Sequence, residues 1–277
     1  MKRHKICKII FAILAGFFFV GFFWLFGVCI TYKKQPAVSD ATIKETQNIM
    51  SVAGRENTER AVIIEKNSQA LLERVRLIQN AKDEIILSTF AFKSDESGKL
   101  ILGALHDAAD RGVHVRILVD GMESWIDMEG NPYFYGLSSH ENVEIKLYNK
   151  ANPLKPWKTM GRMHDKYLIA DGKIYILGGR NTYNYFLGDF PGHKNFDRDV
   201  LVVCDEPQKD NSVNQLWNYF ETIWEQEDCR YFHNSKKLAD RQSVKKAVLE
   251  LQEGYQQYFE VNKEKICDTD YADETFE

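Results

Sequence analysis

The chain opens on an unbroken apolar run and then settles into two alternating periods. Ile9 to Tyr32 carries no charge and is dense in Phe, Ile, Leu and Gly. As a helix it is long enough to cross a hydrocarbon layer of about 30 Å. Gln35 to Thr58 is polar and reads as a linker, with a helical piece around Ala41 to Met50. Beyond it, short apolar runs alternate with stretches of helical period. Ala61 to Glu65 predicts a strand. Ser68 to Ala81 predicts a helix with Ala70, Leu71, Val75, Leu77 and Ile78 on one face. Glu84 to Phe92 predicts a strand buried on both faces, and Leu100 to Arg111 a second helix closed by Gly112. Strands are expected at Val113 to Val119, Asn142 to Tyr148, Met163 to Ala170, Ile174 to Leu177 and Asp199 to Cys204. Trp217 to Trp224 reads as an amphipathic helix that packs aromatic residues on the sheet. Lys236 to Lys265 is helical, charged and weakly amphipathic, and Asp268 to Glu277 is an acidic tail expected to be disordered.

Strands alternating with helices imply an α/β domain with a mixed, largely parallel sheet flanked by helices. The expected organisation is a transmembrane anchor over 1–34, a linker over 35–59, a folded domain over 60–226, and a helical, acidic extension over 227–277. Lys2, Arg3, Lys5 and Lys8 precede the apolar run, and Lys33 and Lys34 follow it. That bias favours a cytoplasmic N-terminus with the domain on the extracytoplasmic side of a cell membrane. The alternative, a cleaved signal peptide, has a shorter apolar core and a small-residue cleavage site that does not appear cleanly here.

Composition narrows the chemistry. The net charge of −4 over 277 residues shows no strong basic excess, so a nucleic-acid partner is not expected. The five cysteines form no C-x-x-C pair and no Cys/His cluster, so neither a metal site nor a disulfide framework is expected.

The stretch Arg162 to Asn181 holds the candidate site. His164, Lys166 and Asp171 make the pattern H-x-K-x-x-x-x-D, and Gly178 to Asn181 make G-G-x-N. A period of two puts His164, Lys166 and Leu168 on one strand face. An imidazole beside an ammonium suits a phosphate ester. The Lys supplies a compact positive charge, and the His can attack phosphorus or pass a proton near neutral pH. Asp171-Gly172 predicts a tight hairpin turn. The two glycines let backbone approach a ligand, and the Asn181 amide can hold a phosphoryl oxygen. Arg162 is a phosphate contact or, more often for such a residue, half of a salt bridge. His193 lies in the following loop and is not expected to act.

These residues resemble the phospholipase D superfamily, whose signature is this H-x-K-x-x-x-x-D followed by G-(G/S)-x-N. The similarity runs from about Arg60 to Glu225. A-K-D-E-I-I-L-S-T-F, A-A-D-R-G-V-H-V-R-I-L-V-D-G, K-P-W-K-T-M-G-R-M-H-D-K and F-D-R-D-V-L-V are most like bacterial cardiolipin synthases. The resemblance implies a phospholipase D-like half-domain with His164, Lys166 and Asp171 catalytic, and with Lys166 and Asn181 binding phosphate. It also implies an acidic residue some thirty positions after the His that orients the imidazole. By position in D-R-D-V, that residue is Asp199, with Asp197 second. No cofactor is implied.

The family's chemistry uses two copies of the signature, and this sequence holds one. Three arrangements follow: half of a longer enzyme, a homodimer that supplies the second copy, or an inactive chain. The expected activity is a membrane-anchored phosphatidyltransferase of cardiolipin synthase type, or a phospholipase D, acting on a phospholipid such as phosphatidylglycerol through a phosphohistidine. The alternatives are a single-signature homodimeric phosphodiesterase or nuclease, and a non-catalytic binding protein.

Overall fold

The structure is a computed structural model that describes residues 2–33, 39–41, 43–44, 59–150, 152, 160–204, 211–233 and 235–271. Most of the helical piece expected around Ala41 to Met50, and residues 272–277 of the acidic tail, lie outside the described residues. The chain divides into two compact units, 1–57 with 151–161, and 58–150 with 162–277.

The first unit contains helix α1 (Lys2–Lys33), whose stretch His4–Ile30 is long and apolar enough to cross a membrane by length and composition.

The second unit is built on one sheet of eight strands. The strands are β1 (Glu59–Ile64), β2 (Glu84–Thr89), β3 (His114–Asp120), β4 (Val143–Tyr148), β5 (Lys166–Ala170), β6 (Ile174–Gly178), β7 (Asp199–Cys204) and β8 (Cys229–Tyr231). Their spatial order is β1-β7-β6-β5-β2-β3-β4-β8. The sheet is mixed, as expected, but parallel pairing is confined to β2–β3 and β3–β4. The other ladders are antiparallel, so the sheet is not largely parallel. The reason is local. Helical crossovers join neighbouring strands only among β2, β3 and β4, whereas β5 and β6 form a hairpin and β1 and β8 join as edges.

Helices α2 (Asn67–Asn80), α3 (Glu96–Asp110), α4 (Gly121–Asp127) and α5 (Pro132–Ser138) follow the first strands. Helix α3 starts earlier than its apolar period suggests, because the Asp95 carboxylate accepts from the Gly98 N–H and caps the first turn. The short helices α4 and α5 have little periodicity to announce them. Each is started by a cap, Asp120 for α4 and Asn131 for α5, where Pro132 also sits in the first turn.

Helix α6 (Ser212–Trp224) covers one sheet face, packing Val213, Phe220 and Trp224 on Ile86, Tyr167, Ile169, Tyr175 and Val202. The other face, with Ile85, Leu87, Ile117, Leu168 and Leu201, carries the larger core. After α7 (Lys236–Ala239), the long helix α8 (Gln242–Cys267) joins that core through Val244, Leu251, Tyr255 and Ile266. A Cβ built on Gly103 of α3 would lie 2.6 Å from the Leu251 carbonyl oxygen, so α3 and α8 meet backbone to backbone. Residues beyond 226 are therefore part of the domain: β8 extends the sheet at β4 and α8 closes its core. The weakly amphipathic period expected here is the face that packs, with charged residues crowding the rest of the helix.

Candidate active site

Strand β5 begins at Lys166 and not at Met163. Thr89 opposite Lys166 is the last pair of the ladder, and the Met163 N–H turns aside to the buried Asp120 carboxylate at 3.1 Å. His164 is therefore exposed just outside the sheet, while Lys166 is buried at the strand's start. The two still meet. The Lys166 ammonium lies 3.2 Å from His164 Nδ1 and donates to the His164 carbonyl at 2.7 Å. Burial pushes the Lys166 pKa below the usual lysine value, opposed by the charges of Asp165 and Asp197.

Phe90, just past β2, makes the wall of this corner. Its ring centroid is 4.5 Å from that of His164, edge to face. Arg162 and Lys166 both sit over the same ring, at 4.9 and 5.4 Å from its centroid. Arg162 is otherwise neutralised: it contacts Asp120 at 2.8 Å and Glu123 at 2.9 Å. That is the salt-bridge role, and it raises the guanidinium pKa despite burial. Next to Phe90, the Ala91 N–H donates to Asn181 Oδ1 at 3.2 Å. The bond commits the oxygen of the Asn181 amide and leaves its NH₂ group as the donor for a ligand. The structure thus brings His164, Lys166 and Asn181 to one place, joined through Phe90 and Ala91.

Asp171 is elsewhere. It lies beyond the far end of β5, roughly 15–20 Å along the strand at the usual rise per residue. Asp171 and Gly172 form the expected two-residue turn, with φ of 52° and 60°, closed by Lys173 N–H to the Ala170 carbonyl at 3.0 Å. The Asp171 carboxylate accepts from the backbone N–H groups of Lys82 (2.9 Å), Asp83 (2.8 Å) and Glu84 (3.0 Å). Its geometry is that of a clamp between the hairpin and the start of β2, away from the reacting corner. Asp171→Ala should lower stability by about 2–3 kcal/mol, from orphaned donors and a left-handed backbone that alanine disfavours. A fall in the urea midpoint, with phosphate binding at the site unchanged, is the expected result.

Asp199 also has a different place from the one expected. It is fully buried on the face toward α2, and its carboxylate contacts Arg74 at 2.9 Å and Arg180 at 3.3 Å. Arg180, the variable residue of G-G-x-N, is buried as well. It donates to the Ile64 carbonyl (3.1 Å), to the Glu65 carbonyl, and to Asn67 Oδ1 (3.1 Å). Burial lowers its pKa, with Asp199 opposing. Asn67 in turn donates to the Asn195 carbonyl at 2.9 Å and ties down the loop after the signature. Asp197 is the acid at the site's edge. It is exposed, a Cβ added to Gly179 would collide with its carboxylate, and its charge acts on Lys166. His193 is exposed and pairs with Asn195 at 2.9 Å.

Sequence reasoning did not single out Phe90, Arg180, Arg74, Asp120 or Asn67. The available signals were slight: aromatic residues at a strand's end, and an arginine inside a signature where any residue is allowed.

An eight-stranded mixed sheet carrying this His-Lys-Asn corner defines a phospholipase D-like α/β domain. The family described as "Cardiolipin synthase, PLD-like domain" matches residues 75–224, and the chain belongs to it, within the phospholipase D superfamily. An uncharacterised Helicobacter pylori protein (strain J99) is 32% identical over 236 residues, covering 78% of this chain and 45% of that one. Cardiolipin synthase C of Escherichia coli K12 is 29% identical over 154 residues, 50% of this chain and 31% of that one. Cardiolipin synthase 1 of Staphylococcus aureus is 35% identical over 112 residues, 40% of this chain and 22% of that one. The chain thus spans less than half the length of these relatives. Among solved structures, Nuc of Salmonella typhimurium, a phospholipase D family member, aligns at a TM-score of 0.45 and 18% identity, over 63% of this chain and 97% of that one.

Proposed function

We propose that this chain is a membrane-anchored phosphatidyltransferase of cardiolipin synthase type, with His164 as the residue that carries the phosphatidyl group. The observation that carries the reading is the Lys166 ammonium held 3.2 Å from His164 Nδ1 at the edge of the sheet. A phosphodiester entering this corner meets the charge of Lys166 and the NH₂ group of Asn181 on its non-bridging oxygens. Without substrate, Lys166 donates to Nδ1, which places the imidazole proton on Nε2. Phosphate draws Lys166 away. Nδ1 can then take the proton and donate a hydrogen bond to a carboxylate, for which Asp197, whose charge also acts on Lys166, is the candidate, and Nε2 gains a free lone pair.

Nε2 attacks phosphorus, the P–O bond to the leaving glycerol breaks, and the leaving oxygen takes a proton from a second histidine. In the return step a phosphatidylglycerol hydroxyl gives its proton to that second histidine and attacks phosphorus. The P–N bond breaks and cardiolipin leaves. The second histidine comes from a second copy of the signature, either in a partner copy of this chain or in further sequence joined to it. Helix α1 holds the domain at the lipid surface, with Lys2, Arg3, Lys5 and Lys8 on the cytoplasmic side. Membership of the family and the similarity to cardiolipin synthases support the lipid substrate over a nucleic acid, as does the net charge of −4.

The test is radiolabelled phosphatidylglycerol incubated with membranes carrying the chain. Cardiolipin should appear, and His164→Ala should reduce it to background. Phosphatidic acid as the only product would reassign the acceptor to water. Equal cardiolipin from His164→Ala would overturn the reading.

A further inference from the structure

We propose that Phe90 is a positioning residue of this site: its ring fixes the plane of the His164 imidazole and stabilises Lys166 as an ammonium in a buried setting. The inference rests on the reading of Lys166 as the phosphate ligand and adds a residue outside the signature to it.

The geometry is specific. The ring of Phe90 is half-buried and meets the His164 ring at a centroid distance of 4.5 Å and an interplanar angle of 60°. His164 is exposed and lies outside the ladder, and among the described residues this ring and Lys166 are its side-chain contacts. An aromatic face is the negative part of its quadrupole and attracts cations. Two cations use it here, Arg162 at 4.9 Å and Lys166 at 5.4 Å. Arg162 already has Asp120 and Glu123 as counter-charges, so the face is most useful to Lys166. The other charged groups acting on Lys166 are Asp165 on its own segment and Asp197 from the stretch before β7. Neither forms an ion pair with it. Burial alone favours the neutral amine, which would bind phosphate poorly. The aromatic face counters that without a fixed carboxylate, which would compete with the substrate anion.

The test uses the full chain in detergent micelles, labelled with ¹³Cε-lysine and ¹⁵N-histidine, and assigned with Lys166→Arg and His164→Gln. Phe90→Leu keeps apolar bulk and removes the quadrupole. Pentafluorophenylalanine at position 90 keeps ring and shape and reverses the quadrupole, so it serves if Phe90→Leu does not fold. Both should move the Lys166 titration to lower pH and weaken binding of inorganic phosphate at pH 8 about tenfold. Phe90→Tyr should restore both. An unmoved Lys166 titration in folded Phe90→Leu, or in the fluorinated protein, overturns the proposal. The readout needs no turnover. A shifted titration in a protein that makes no cardiolipin would sink the phosphatidyltransferase reading alone, and an unshifted one in an active enzyme would sink this proposal alone.

Discussion

Asp199→Asn should melt roughly 10 °C below the wild type, whereas Asp197→Asn should melt with it and lose turnover. The two acids are two residues apart, and the fold gives them opposite tasks. Among the described residues, Asp199 is the carboxylate that pairs with two buried guanidinium groups, Arg74 and Arg180. Removing its charge leaves two like charges buried together, with Asn67 Oδ1 and the backbone carbonyls of Ala70, Ile64 and Glu65 as their remaining acceptors. Breaking a buried ion pair from one side costs about 3–5 kcal/mol. That is a large share of the ~5–15 kcal/mol that holds a typical domain together, and for a domain of this size each kcal/mol moves the melting point by about 2–4 °C. Asp197, by contrast, is exposed and holds one hydrogen bond, from the N–H of the adjacent Arg198 at 2.8 Å. Its loss should cost well under 1 kcal/mol of stability. If it orients the His164 imidazole, its loss should cost about 10³-fold or more in turnover, through the wrong tautomer. Differential scanning fluorimetry and the cardiolipin assay on both variants separate the tasks. Asp199→Asn with unchanged melting and lost activity would return the orienting role to Asp199.

That pair shows where the sequence was legible and where it was not. The strand over Asp199 to Cys204 follows from an apolar run, and the hairpin over Asp171 to Gly172 from turn chemistry. Both are local, and the structure has both where expected. Which acid faces the imidazole is not local. It depends on Arg74, more than a hundred residues away in sequence, and on Arg180 inside the signature, which together claim Asp199. The role of Asp171 was misplaced for a related reason. A signature groups residues by sequence spacing, but five strand residues carry the Asp to the other end of the sheet, where it clamps β2. The parallel share of the sheet was overread because strand order is set by long-range pairing. Strands and helices alternate from Glu59 to Tyr148, but only β2, β3 and β4 pair in parallel, and β5 and β6 follow as a hairpin. His164 and Lys166 were readable because a spacing of two on an extended chain puts side chains together whatever the rest of the fold does.

Lys166→Met should stabilise the domain and silence it. The Lys166 side chain is buried at the start of β5, and desolvation lowers its pKa from the ordinary lysine value. The folded state therefore holds this proton less tightly than the unfolded state does. The sign of the linkage follows: at pH below the folded pKa the charged lysine opposes folding, and the opposition fades as pH rises from the folded pKa toward the unfolded one. Methionine fills similar volume without the charge, so the gain should be present at pH 7, about 1–2 kcal/mol, and should shrink at alkaline pH. The same change removes the ammonium held beside His164, the proposed ligand of a phosphate oxygen. A charged donor of that kind contributes about 10²–10³-fold to turnover, and the wild type should lose activity on the alkaline side at a pH below that of an ordinary lysine. Paired urea melts at pH 7 and pH 10, with cardiolipin assays across the same range, read both halves. A destabilised Lys166→Met at pH 7 would mean that the lysine is held by contacts worth more than its desolvation, and an active one would mean that phosphate is bound by other groups.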